Sequence, residues 1–175
     1  MLAQPLSNCS EVLLNGDDLI ISKTDLKGRI TYANRTFMRV AGFGEEDLLH
    51  KPHNLIRHPD MPKGVFKFLW EELRQGHEFF GFVKNYTADG GFYWVFANIT
   101  PDFDAQGNVQ GYFSVRRRPN PDAIKVIEPI YQKMNEIEQR HSPVEACKHS
   151  LAFLNQLLEG KQISYERFVM QLQSR

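Results

Sequence analysis

The order of patterns along this chain predicts an α+β fold, an antiparallel sheet with short helices gathered on one face. Three observations carry that reading. Alternating, strand-like runs come as a pair near residue 20 and as a trio between residues 78 and 118. Turn-rich segments only a few residues long (DLKG, ADGG, AQGN) join them. The helical patterns fall between the two groups. Strands joined by tight turns are antiparallel neighbours, and the helices are then left to pack on one side.

DLIIS, residues 18–22, reads as a short strand, and DLKG turns it into RITYA, which completes a hairpin. Asn34 has the side chain to cap the helix RTFMRVAG, which stops at Gly42. GEEDLLHKP adds one or two helical turns before Pro52. PKGVFKFLWEELRQG is a helix with Pro62 in its first turn, an apolar stripe of Val65, Phe66, Leu69, Trp70 and Leu73, and Gly76 at its end. Asp60 is placed to be its N-cap. EFFGFVKNYT and GFYWVFANITPDF flank ADGG as a hairpin, and AQGN leads into VQGYFSVRRR.

After PNPD the pattern becomes helical. Ile124, Ile127, Ile130, Tyr131, Met134 and Ile137 predict an amphipathic helix over 122–139, and Pro143 separates it from two more. Their stripes are Cys147, Leu151, Leu154 and Leu158, then Tyr165, Phe168, Val169 and Leu172. Such faces are buried either on the chain itself or on a partner helix. The chain therefore divides into an N-terminal cap segment (1–15), a central domain (16–119) and a helical C-terminal extension (120–175).

Composition narrows the function class. Apolar content of 42% supports a packed core, and 21 basic residues balance 21 acidic ones, so the charge gives no sign of the basic surface that nucleic acid favours. Cys9 and Cys147 stand far apart without CxxC spacing, so no disulfide framework or metal site is expected, and a reducing, cytoplasmic setting follows. The first 18 residues lack the charged start and apolar run of a secretory signal, and no stretch approaches the roughly 20 apolar residues of a membrane helix. GxSxG and GxxxxGK[ST] are absent, so the protein is not read as an enzyme.

The phrases TDLKGRITYANRTFMRVAGF, GFVKNYTADGGFYWVFANITP and GYFSVRR together resemble a PAS domain. KPHNLIRHPDMPKGVF, with LW and VKN, resembles more closely the flavin-binding PAS domain of bacterial aerotaxis receptors and related chemotaxis transducers, over about residues 15–120. The resemblance implies a PAS fold, with five antiparallel strands, helices on one face and an enclosed pocket that holds FAD noncovalently. No methyl-accepting, kinase or cyclase domain follows, so the expectation is a stand-alone sensor of redox or oxygen status. Haem b, with His53 or His58 as axial ligand, and a ligand-free interaction module are the alternatives. The light-sensing branch needs a cysteine beside the flavin, and none lies between Cys9 and Cys147.

Residue by residue, the resemblance makes Arg57 the partner of the dinucleotide's pyrophosphate, since a guanidinium fork matches phosphate oxygens. His53 and His58 add donors or stacking surface, and Asp60 orders the loop that carries them. Asn34 combines helix capping with a place at the pocket's edge, while Phe66, Trp70 and Phe79 supply walls. Asn85 faces the ring edge, and strand alternation puts Phe79, Gly81 and Val83 on its face. The resemblance also implies that Tyr93, Val95 and Ala97 point inward on the next strand and Arg116 on the last. Phe80, Phe82, Tyr86, Trp94 and Phe96 then share the opposite face, which must be covered by residues near 12–14, by a C-terminal helix or by another subunit. The expected partners are a second copy or a different chain docking through Phe80, Phe82, Trp94, Phe96 and the C-terminal helices, and a membrane chemotaxis transducer or other signalling protein.

Overall fold

Asp25 turns the chain back on itself: its carboxylate accepts the N–H groups of Lys27 and Arg29 at 2.8 and 2.9 Å, joining β1 (Leu19–Asp25) to β2 (Ile30–Ala33). The architecture comes from a computed structural model that describes residues 10–174. Two short helices, α1 (Arg35–Ala41) and α2 (Glu45–Leu48), a 3-10 turn at His53–Ile56 and the longer α3 (Lys63–Arg74) follow. Then come β3 (Phe79–Tyr86), β4 (Phe92–Phe103) and β5 (Val109–Arg117). All pairings are antiparallel in the order β2-β1-β5-β4-β3, so the two hairpin groups meet where β1 joins β5. The fold is α+β, as predicted.

Register decides which side chains face the helices. Asn85 lies opposite Tyr93, Gly81 opposite Ala97, and Ala97 opposite Arg116, so these residues share one face of the sheet. Phe82 opposite Phe96 and Lys84 opposite Trp94 belong to the other face.

That second face is covered by the chain itself. Helices α4 (Pro121–Gln139), α5 (Pro143–Gly160) and α6 (Tyr165–Ser174) fold back onto the domain. On α4, Ala123, Ile127, Tyr131 and Met134 are buried; the Tyr131 hydroxyl donates to the Phe82 carbonyl at 2.8 Å, and its ring lies 6.2 Å from that of Trp94. Val12 N–H donates to the Phe92 carbonyl at 2.8 Å and Leu14 is buried, so the last part of the expected N-terminal cap contributes as well; residues 1–9 of that segment lie outside the described residues. Phe82, Trp94 and Phe96 are buried and Phe80 half-buried. The expected partner interface through these four aromatics is therefore corrected: an aromatic sheet face demands a cover, and α4 supplies it over Phe82 and Trp94, with residues 12–14 contributing beside Phe92.

Two local expectations also change. Asp60 does not cap α3; Pro62 holds the N-cap position, and the Glu138 carboxylate of α4 takes the first amides instead. On α5 the buried line runs through Ala146, Ser150, Leu154 and Leu158, one residue from the predicted Cys147–Leu151 stripe, because small side chains let α5 approach α3 closely. The α6 stripe of Tyr165, Phe168, Val169 and Leu172 is buried as read. Among the described residues no helix is long and apolar enough to cross a membrane.

Candidate functional site

Residues 50–58 cross the helix-bearing side of the sheet from one edge to the other. At one end His50 N–H donates to the Ile30 carbonyl and Ile30 N–H to that of Lys51, with Pro52 bridged to Arg29, so the segment pairs with the outer side of β2. At the other end Arg57 bridges Asn85 and His58 N–H donates to the Lys84 carbonyl, on the outer side of β3. Between them the 3-10 turn spans the gap. Near-extended backbone at Arg57 (φ −67°, ψ 123°) sends successive side chains to opposite sides, as in a strand. Arg57 thus points inward, while His58 packs outward against Tyr86 and Phe92.

Under this strap lies a cavity of about 440 Å³, within the roughly 300–1,000 Å³ of cofactor clefts. Phe66, Leu69, Trp70 and Leu73 of α3 form one wall; Val83, Ala97 and Ile99 form the floor on the sheet. Polar groups converge on the same space: His53, Asn54, Asn85, Ser114 and four cations, Lys27, Arg57, Arg74 and Arg116. No carboxylate is among the lining residues.

Two of the cations are drawn out of water, Arg57 half-buried and Arg116 fully buried. The Arg57 guanidinium stacks 3.4 Å from the Phe66 ring centroid, and its buried Nε has no hydrogen-bond partner among the described residues. Arg116 is 2% exposed, lies 4.5 Å from the Phe37 ring and donates Nη2 to Ser22 Oγ at 2.6 Å, leaving Nε and Nη1 without partners among the described residues. Burial pulls its pKa down to about 10. Ser22 Oγ also meets His53 Nε2 at 3.2 Å, so serine links the guanidinium to the imidazole. Burial, then the Arg116 charge, lower the His53 pKa to about 3, and the ring is neutral.

A neutral imidazole held under the strap has a consequence for stability. The unfolded chain takes up this proton near pH 6.5 and the folded one only near 3, so acidification through that window favours unfolding. The slope from this residue approaches about 1.4 kcal/mol per pH unit. Urea midpoints are expected to fall between pH 7 and pH 5, with a shallower fall in His53→Gln; an identical slope in the variant would assign the proton uptake to other groups.

Residues 30–116 match the family model described as the PAS fold. These residues form a PAS domain. Over 135 residues, 77% of this chain, it is 39% identical to the aerotaxis receptor of Escherichia coli K12. Over 97 residues, 55% of this chain, it is 34% identical to a nitrogen fixation regulatory protein of Klebsiella pneumoniae. The matches span only 26% and 20% of those two proteins' own lengths. Among solved structures, a light-oxygen-voltage domain from a study of a flavin analogue superposes with a TM-score of 0.55 at 23% identity, covering 62% of this chain and 82% of that one, which shows the shared fold.

Within the PAS domain, six of the candidate residues line the cavity: His53, Arg57, Phe66, Trp70, Asn85 and Arg116. Four others lie away from it, each for a visible reason. Asn34 spends its side chain on backbone, accepting from Ile21 and Phe37 N–H at 3.0 Å and donating to the Leu19 carbonyl at 2.8 Å. His58 and Asp60 are on the outer side of the strap, where Asp60 pairs with the Lys84 ammonium at 2.7 Å. Phe79 shares the face of Asn85 but is taken up by Tyr165 and Phe68, at ring distances of 5.8 and 6.2 Å. Sequence reasoning missed Lys27, Asn54, Arg74 and Ser114. Ser114 was open to discovery, because alternation from Arg116 places it on the same face.

Proposed function

We propose that this PAS domain is a sensor that binds FAD noncovalently and reports redox or oxygen status to a signalling partner, without itself catalysing a reaction. The observation that carries the reading is the cavity's charge: four cations and no carboxylate, with buried guanidinium N–H groups lacking partners. Such donors call for an anionic or oxygen-rich ligand. The apolar slot between α3 and the sheet suits a flat ring system, and Asn85 with Arg116 offers amide and guanidinium donors to its polar edge. Lys27, Arg57 and Arg74 are the groups that would neutralise the phosphates. The bound flavin would supply the redox chemistry; the protein's part is to hold the ring dry and answer its change of charge. Similarity to the aerotaxis receptor supports this ligand class and a chemotaxis transducer or related signalling protein as cytoplasmic partner. A second copy of the chain could serve as well, through the outward faces of α4–α6. Haem is less well served: His58 is outside the cavity, and His53 Nε2 is engaged by Ser22.

An absorbance spectrum of the purified protein tests the ligand. Paired flavin bands are expected; a single intense Soret band would establish the haem reading instead, and no bands after incubation with FAD would leave a ligand-free module. In Arg57→Ala, FAD affinity is expected to drop roughly ten- to a hundredfold, the loss of charge-assisted hydrogen bonds. Unchanged affinity in the folded variant removes Arg57 from the phosphate site.

A further inference from the structure

Helix α3 starts without a side-chain cap of its own, since Pro62 stands at its N-cap. Lys63 and Gly64 N–H donate instead to the two oxygens of Glu138, at 2.9 and 2.8 Å, from the far end of α4. The same carboxylate accepts the Ser150 hydroxyl of α5 at 2.7 Å. Glu138 is 9% exposed and Ser150 fully buried, so three helices meet at one enclosed anion. Gly64 permits the meeting, because a Cβ there would collide with Ser150 Oγ and press on Glu138 Oε1.

The grip extends along α4. One turn earlier, Asn135 Nδ2 donates to the Asp60 carbonyl at 2.6 Å. Further back, the Lys84 ammonium sits between Asp60 at 2.7 Å and Glu128 at 3.7 Å. The helical extension therefore holds the junction of strap and α3 at Asp60, Lys63 and Gly64. Two residues beyond is Phe66, which carries the Arg57 guanidinium and lines the cavity, and one turn further is Trp70.

We propose that Glu138 is a positioning residue, the joint through which α3's placement of Phe66 and Trp70 and the attitude of α4 and α5 are set together. On this view the state of the cavity passes to the C-terminal helices along α3, rather than through the sheet to an open aromatic face. A carboxylate suits the task because it only accepts: two amides and a hydroxyl can share it, and its charge favours the positive end of α3. Glutamine has the same shape but turns a donor toward an amide. The redox half of the proposal rests on the flavin reading above.

Amide hydrogen exchange on the full chain tests it, with FAD bound and then reduced by dithionite. In the wild type, reduction is expected to change exchange both at 60–66 and at 134–151. In Glu138→Gln, the Lys63 and Gly64 amides should exchange about tenfold faster, and the response at 134–151 should fall by more than half while that at 60–66 persists. An undiminished response in the variant, or no response at 134–151 in the wild type, overturns the joint. Ser150→Ala leaves both amide bonds in place and should keep those two amides slow; if it frees them as Glu138→Gln does, the carboxylate is not the element responsible. Absence of flavin from the wild type would instead defeat the ligand reading. The positioning role is then judged on the ligand-free chain, where unaccelerated Lys63 and Gly64 amides in Glu138→Gln overturn it.

Discussion

Arg116→Met is expected to make the ligand-free protein more stable and the ligand-binding protein worse. A guanidinium that is 2% exposed, with two nitrogens unpartnered among the described residues, is a charge brought out of water without full compensation. Its nearest relief is one hydrogen bond to Ser22 and the face of Phe37, which offset only part of the desolvation. Methionine fills similar volume without an N–H donor or a charge. Replacing even paired buried ions by apolar groups of like size is neutral or gains about 1–4 kcal/mol, and an incompletely partnered one has less to lose. Ser22 keeps His53 as a hydrogen-bond partner after the change. The same substitution removes a cavity-lining guanidinium with two unpartnered nitrogens, and FAD affinity should drop on the order of a hundredfold. Urea unfolding without FAD and a fluorescence titration with it measure the two effects, and their opposite signs are the test. A variant both less stable and equally able to bind would make Arg116 a structural residue.

Gly111→Ala is expected to cost roughly 3 kcal/mol, near the upper end for overpacking. Gly111 pairs with Asp25 on β1 and with Asp102 on β4, so β5 is enclosed on both sides at this point. A Cβ there would fall on the Thr24 carbonyl oxygen, with the Asp25 Cα only 3.5 Å away. Both obstacles are backbone and cannot rotate aside. Relief requires prising β1 from β5, the seam that pairs Ile20 with Arg116 and Ser22 with Ser114. Stability and cavity geometry should therefore fail together, read as a lowered urea midpoint and a raised FAD dissociation constant. A midpoint shift corresponding to less than about 1 kcal/mol would mean that the seam gives way more easily than its pairing suggests.

These residues also show what local pattern can and cannot reveal. The hairpins were legible because turn chemistry and period-two alternation are short-range signals; alternation put Val83 on the face of Asn85, while the inward placing of Asn85, Ala97 and Arg116 came from the family resemblance. The α6 stripe was legible because its apolar spacing is uninterrupted. Phe79 obeyed the alternation yet missed the cavity, since Tyr165, more than eighty residues later, occupies that part of the face. His58 and Asp60 were misplaced because the strap at Arg57 behaves as a strand, and neighbours in an extended segment part company. Asp60 was read as the cap of α3 because it was the nearest carboxylate in sequence; the carboxylate that does the capping is distant. One sign of it was present: Ile127, Tyr131, Met134 and Glu138 step by four, three and four, so a charged residue continues an apolar line.

The segment that ties β2 to β3 also sets a limit on the whole cup. Pro52 and Arg57 are anchored at opposite margins of the sheet, and only five peptide units separate them. Fully drawn out, that length reaches roughly 17 Å, and wound as a 3-10 turn it reaches about 10 Å. The sheet's curvature therefore has a fixed girth: it can tighten freely but can relax only by the slack stored in four coiled residues, His53 to Ile56. Because Arg57 is itself one of the anchors, whatever engages its side chain acts directly on the hoop that bounds the opening.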